Sequence, residues 1–393
     1  MTEMKQFIGI FFILTFAMVS CTGEEGVAPD LSETEQTVFM YLPWAGEELL
    51  PYFRHNIADL ESVVAKNGLV HEKLMVLFQA TPAEAALFEL KYSRGTCISD
   101  TLKKYTNPAV TTAGWITSIL NDVKEYAPAN RYAMIINCHG MGWIPASPQL
   151  RSATGEKEYW EYDGALLTRW FGGEAPYQTD VTTLAEGITD AGITMEYILF
   201  DDCYMSSIEV AYDLKEVAAH LIASPCEIMA YGMPYAEMAQ YLFGKVDYEG
   251  ISNTFLDFYR NYSLMPCGAI GVTVCSELDA LAAVMKEING KYTFDDAQRG
   301  AIQRMDGYTP VRFFDYGDYV AKLCRDEELT AKFNTQLERA IPSKYQKHTD
   351  DFYTAITRNR IKINAYSGVT TSDPSVSPHT SAKTETSWYK ATH

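Results

Sequence analysis

The sequence predicts an α/β fold built on a mainly parallel sheet. Three observations carry this. Residues 37–79 read strand, helix, strand over about 40 residues, the signature of a βαβ unit with a right-handed crossover. Two later apolar runs, Tyr132–Cys138 and Tyr197–Phe200, each follow an amphipathic helical stretch. Each also ends in polar, chemically capable residues, as strands of open α/β sheets do at their C-terminal edge.

The elements follow in order. Thr37–Leu42 is the first strand. Leu50, Phe53, Ile57, Leu60 and Val64 then recur at helical spacing, and Asn67-Gly68 ends that helix. Lys73–Gln79 is the second strand. Residues 83–105 are ambiguous between a short hairpin and an irregular run. Thr111–Tyr126 is a helix with Trp115, Ile119, Leu120 and Val123 inward. After the Tyr132 strand, residues 144–180 form an excursion rich in Gly, Pro, Ser, Thr and aromatics, too long for a simple connection. Val181–Ala191 is a helix stopped by Gly192. From Ser206 or Ser207 the pattern is helical, with Val210–His220 as its body and Leu221–Ser224 as a short strand. Pro225–Tyr235 is a loop.

Beyond Gly250 the texture changes. Ile251–Tyr262 and Leu278–Ile288 read as helices around a strand at Gly268–Cys275. Phe314–Leu323 and Leu329–Ile341 are helical. Ile361–Tyr366 reads as a strand, and Ser367–Thr386 as a polar loop. The domain plan is a signal at 1–20, a tether at 21–36, a main α/β domain at 37–250 and a C-terminal α/β region at 251–393.

Composition supports a folded chain. Of 393 residues, 47% are hydrophobic and 21% charged, the balance of a globular protein. Thirty-two Lys and Arg against 51 Asp and Glu give a net charge of −19, which argues against a nucleic-acid partner. The N-terminus reads as an export signal: Lys5, then an apolar run from Phe7 to Val19, too short to span a bilayer. It ends Met18-Val19-Ser20-Cys21, which resembles the lipobox of bacterial lipoproteins. That resemblance implies a lipid on Cys21 and a place in the cell envelope, at the outer membrane or cell surface; plain secretion is the alternative. Eight cysteines become seven if Cys21 carries lipid, so an odd thiol remains. Cys267 and Cys275 are close enough to pair in a hairpin. No Cys/His cluster has zinc spacing, so no structural metal is assigned.

The chemistry concentrates in two strand ends. Tyr197-Ile-Leu-Phe-Asp-Asp-Cys203 ends just before a helix, where a helix N-terminus favours a thiolate. Tyr132-Ala-Met-Ile-Ile-Asn-Cys138 ends in His139-Gly140-Met-Gly-Trp143. A strand-end Cys is often only a small core residue. A second strand ending in His-Gly raises it to a candidate nucleophile, with His139 as its base. Asp201 and Cys203 share one face by strand alternation, and Asp202 and Cys138 turn away.

These motifs, with Thr37-Val-Phe-Met-Tyr41 and Glu209-Val-Ala-Tyr212, make the chain similar to the clostripain family of cysteine peptidases, relatives of caspases, gingipains and legumains. The resemblance is strong from Thr37 to about Tyr235 and weaker beyond. It implies a caspase-hemoglobinase-type three-layer sandwich and a cysteine endopeptidase acting on peptide or protein substrates. Cys203 would attack the scissile carbonyl and His139 would serve as acid and base. Backbone N–H groups of Gly140 and Cys203 would form the oxyanion hole. Gly140 would let the chain approach substrate closely there. Asp201 would select Arg or Lys at P1, or else would cap the next helix or orient a loop. Asp202 departs from the family's usual Ala, and Ser224–Tyr235 departs from its acidic, Gly-rich segment, although Glu227, Gly232, Pro234 and Tyr235 keep the outline. Self-cleavage at Arg151, Lys157 or Arg169 is a further expectation. No cofactor is required, and calcium, used in the family, is left open because no EF-hand loop is present. The competing reading is an inactive surface lipoprotein that binds a peptide or glycan on the same fold. The presence of both His139 and Cys203 speaks for the enzyme.

Overall fold

Parallel strands covered on both faces must be apolar without alternation. β1 (Gln36–Leu42) is buried at all seven positions. β5 (Arg131–Ile136) and β6 (Met195–Phe200) are each buried over their last four. The computed structural model describes residues 34–146, 177–372 and 380–393. Cys21, the export signal, most of the tether, Arg151, Lys157 and Arg169 lie outside them.

Nine strands form the central sheet, in the order β10-β8-β7-β6-β5-β1-β2-β3-β4. β2 is Glu72–Thr81, β3 Glu84–Ser93, β4 Thr96–Thr106, β7 Ala218–Ala223, β8 Ala269–Val274 and β10 Lys347–His348. The five strands β7-β6-β5-β1-β2 run parallel, and the outer ones are antiparallel. The ambiguous stretch is a regular hairpin, β3–β4. Its outer strand carries Lys103 and Lys104, charges that discourage edge-to-edge pairing.

Helices cover the sheet in three sets. α1 (Leu50–Asn67) adjoins α5 (Tyr235–Met238), which adjoins α6 (Tyr248–Asn261). α2 (Ala113–Tyr126) packs on α3 (Val181–Asp190), and α3 packs on α4 (Ile208–Leu214). α7 (Leu278–Asn289) packs on α9 (Glu327–Ala340). α8 is Tyr316–Leu323, and the last helices, α10 and α11, are Thr380–Glu385 and Ser387–Thr392. The result is an α/β protein with a large, mostly parallel central sheet.

Several elements differ from their sequence outlines. The helix expected over Val210–His220 is shorter and earlier. Ala218 and His220 pair with Met195 and Tyr197 of β6, and sheet pairing outweighs the helical periodicity there. The strand expected at Ile361–Tyr366 is β12 (Asn359–Lys362), paired with β11 (Asp351–Thr354). It stops where the side chain of Gln303 takes the N–H of Asn364 at 2.8 Å. The stretch read as a loop, Ser367–Thr386, supplies β13 (Thr370–Thr371), paired with β9 (Phe314–Asp315), and then α10. Cys267 and Cys275 flank opposite ends of β8 as separate thiols, because a strand and not a hairpin lies between them. β8 and β10, both beyond residue 250, belong to the same sheet as β1.

Candidate active site

The register of β5 and β6 builds the site. Ile136 pairs with Phe200, an offset of 64 that the chain keeps past the strand ends. Asn137 Nδ2 donates to Asp201 Oδ2 at 2.7 Å, and the Cys138 N–H donates to Asp202 Oδ1 at 2.5 Å, each across 64 positions. His139 and Cys203 are the next residues in this series. The two strands thus end side by side, and the loops that leave them at that edge carry His139 and Cys203.

Gly140 holds the two loops together. A Cβ on it would lie 2.2 Å from the Cys203 carbonyl oxygen and 2.9 Å from Asp202 Cβ. A side chain is excluded there because the chain approaches itself. Gly142 has φ +60°, and a Cβ there would meet the Phe313 ring at 2.9 Å. Any larger residue at either point would push the His139 loop off the Cys203 loop.

Cys203 is buried, and its Sγ accepts the Ile228 N–H at 3.3 Å. His139 is 9% exposed. Cys138 is in the hydrophobic core, as strand alternation predicts. Asp201 is buried; Oδ2 accepts Asn137 and, at 3.0 Å, the Tyr235 hydroxyl, while Oδ1 accepts the Met233 N–H at 3.0 Å. The carboxylate does not cap α4, whose N-cap is Ser207. It orients the loop before α5, and Asn56 of α1 joins the cluster through its carbonyl oxygen, 3.5 Å from Asn137 Nδ2. Asp201 and Cys203 therefore both touch the Ser224–Tyr235 segment, while Asp202 holds the backbone of Cys138.

Sequence reading missed Asn56, Asn137 and Ile228 as site neighbours. Asn137, a polar residue closing an apolar strand, carried a usable signal. Ile228 carried none, since it acts through its backbone. Among the described residues, no group of three or more His, Cys, Asp or Glu side chains is placed to hold a metal ion. No described helix is long and apolar enough to cross a membrane.

A model of the clostripain family matches residues 58–369. A secreted C11 cysteine protease from Bacteroides thetaiotaomicron is 58% identical, over 92% of this chain and 99% of its own, with a TM-score of 0.84. A clostripain from Bacteroides thetaiotaomicron ATCC 29148, solved with the peptide inhibitor BTN-VLTK-AOMK, is 61% identical, covering 57% of this chain and 99% of its own, with a TM-score of 0.55. An inactive zymogen C11 protease from Parabacteroides distasonis is 25% identical over 92% of this chain and 99% of its own, with a TM-score of 0.77. A comparison with curated proteins finds no match.

Proposed function

The chain belongs to the clostripain family and is a cysteine protease with peptide substrates, and from that premise we propose that it hydrolyses peptide bonds after Lys or Arg with a Cys203–His139 dyad. The observation that supports this is the shared register of β5 and β6, followed by the Asn137–Asp201 and Cys138–Asp202 contacts that immediately precede the two residues.

In the proposed cycle the Cys203 thiolate attacks the carbonyl carbon. A C–S bond forms and the C=O π pair moves onto oxygen. The N–H groups of Gly140 and Cys203 hold that oxyanion. Its collapse breaks the C–N bond, and the imidazolium of His139 gives its proton to the leaving amine. His139 then takes a proton from water, hydroxide adds to the thioester, and the C–S bond breaks to release the acid. No metal enters any step.

Support for a basic P1 residue comes from Asp201, a buried carboxylate on the face of Cys203, suited to an ammonium or guanidinium. The inhibitor of the 61% identical relative points the same way, since its peptide, VLTK, ends in lysine. At the N-terminus, the reading remains a lipid on Cys21 that tethers the enzyme in the cell envelope. Metabolic labelling with a radioactive fatty acid tests it against Cys21→Ala: label lost in the variant supports the anchor, and unlabelled wild type leaves plain secretion.

The direct test is labelling of the purified protein by biotinylated Lys- and Arg-acyloxymethyl ketones. We expect labelling to vanish in Cys203→Ala, to fall strongly in His139→Ala, and to shift toward uncharged probes in Asp201→Ala. Labelling only by acidic or uncharged probes would remove the basic specificity and keep the dyad. Silence toward every probe, with and without calcium and after a trace of trypsin, would leave the binding protein instead.

A further inference from the structure

We infer that Tyr204 and Glu227 are positioning residues for the nucleophile, fixing the direction of the Cys203 side chain through a hydrogen bond one residue away from it. This rests on Cys203 being the nucleophile.

Tyr204 adopts φ +61°, a left-handed conformation that is costly for an aromatic residue and persists only where surroundings enforce it. Here three contacts enforce it. The Tyr204 N–H donates to the Cys226 carbonyl at 3.1 Å. Its ring stacks on Phe313 with centroids 4.9 Å apart. Its hydroxyl donates to Glu227 Oε1 at 2.7 Å.

Glu227 is itself built in. It is 3% exposed, accepts the Thr354 hydroxyl at 2.6 Å and takes the Ala355 N–H at 2.9 Å. A buried carboxylate with several donors is a fixed anchor, because moving it would strand the charge. The next residue along, Ile228, gives its N–H to Cys203 Sγ. Two adjacent residues on one segment thus grip two adjacent residues on the other: Ile228 holds the sulfur and Glu227 holds the tyrosine. Losing the Tyr204 hydroxyl releases the left-handed turn and lets the sulfur swing relative to His139.

The inference adds a task for Tyr204, which shares neither the strand face nor the chemistry of the dyad. It also gives Glu227 a structural task, through Tyr204, Thr354 and Ala355.

The test uses the full chain as wild type, Tyr204→Phe, Glu227→Gln, the double variant and Cys203→Ala. Two quantities are read: kcat and KM on a lysyl peptide amide, and the rate of Cys203 alkylation by iodoacetamide against pH, resolved by peptide mass spectrometry. Tyr204→Phe removes one oxygen and keeps the ring, so the fold should survive. We expect kcat to fall about ten- to a hundred-fold, the scale of a small misalignment, with KM changed less than about two-fold. The alkylation profile should move along the pH axis, which a merely structural loss would not cause. Glu227→Gln should lower kcat in the same direction, and the double variant should be no worse than the poorer single one, because both act on the nucleophile through the shared Tyr204–Glu227 bond. Wild-type kcat and an unmoved alkylation profile in Tyr204→Phe, or strictly additive effects in the double variant, would overturn the inference. If Tyr204→Phe does not fold, Glu227→Gln read alone decides by the same two criteria. Activity surviving in Cys203→Ala would instead overturn the dyad, an outcome separable from the first.

Discussion

Two regions meet at the site and are made in different ways. The sheet edge, residues 136–143 and 200–207, places its groups by strand register. The C-terminal wrap, drawn from residues 303–313, 351–355, 367–372 and 383, places nothing reactive. It packs against the edge at many points. The Tyr308 hydroxyl lies 3.8 Å from Met141 Sδ. Trp143 Nε1 donates to Ser372 Oγ at 2.7 Å. Ser206 Oγ donates to the Gly368 carbonyl at 2.7 Å, and the Thr370 N–H donates to the Ser206 carbonyl at 2.9 Å. The contrast teaches that the edge sets which groups are present, and the wrap sets how rigidly they are held.

The largest expected effect separates the two through a buried ion pair. Lys383 of α10 reaches Glu209 in the first turn of α4, and both are buried. Glu209 also accepts Thr371 Oγ1 at 2.9 Å and Ser207 Oγ at 2.5 Å. Lys383→Met leaves that carboxylate buried without its cation. We expect a loss of about 3–5 kcal/mol in urea unfolding, largely recovered in the Lys383→Met/Glu209→Gln pair. A loss below about 1 kcal/mol would show that the wrap does not hold the edge.

A second effect belongs to the wrap alone. Asp306 is buried and accepts the N–H groups of Tyr308, Arg312 and Phe313 at 2.6–2.7 Å. Burial pushes its carboxyl up to about 6. A raised carboxyl binds its proton more tightly folded than unfolded. Its contribution is therefore greatest below the unfolded value near 4 and is lost as pH rises to about 6, by roughly 3 kcal/mol. Wild-type stability should accordingly fall relative to Asp306→Asn across that window and run parallel to it above. Unfolding free energies at pH 4.5, 5.5, 6.5 and 7.5 measure this, and parallel curves throughout would refute it.

A smaller effect tests the edge. Asn137→Ala removes a donor from Asp201, and we expect a loss of about 1–3 kcal/mol. KM for a lysyl substrate should rise while the Cys203 alkylation rate stays near wild type. Equal damage to both readings would mean that edge and pocket do not separate. The smallest effect is none: EDTA should leave the rate unchanged, because the proposed cycle uses thiol and imidazole only. A loss restored by calcium would assign the ion a role.

Much of the edge was legible beforehand. An apolar run ending in His-Gly and another ending in Asp-Asp-Cys state their chemistry locally, and burial on both faces of a parallel sheet forbids alternation. The alternation that sends Asp201 and Cys203 to one side follows from the pleat. Less legible was the helix after Cys203, where its periodicity reads through to His220. Pairing of Ala218 with Met195 ends it sooner, and no local signal announces a partner strand. The wrap was least legible. Ser367–Thr386 reads as polar loop, yet Thr370 and Thr371 pair with β9 and Lys383 carries a charge into the core.

By itself the sequence determined the α/β class, the parallel centre of the sheet, and the two strand ends that bear His139 and Cys203. These depend on burial patterns and residue types that act within a few positions of one another. Only the tertiary structure decided that Gly140 makes room for the Cys203 backbone, that Asp201 ties down the loop at Met233 and Tyr235, and that Tyr204 is anchored by Glu227. Each of those depends on a distance between segments remote in the chain. Polar groups become satisfied by whatever the finished packing brings within reach, and no local pattern encodes that.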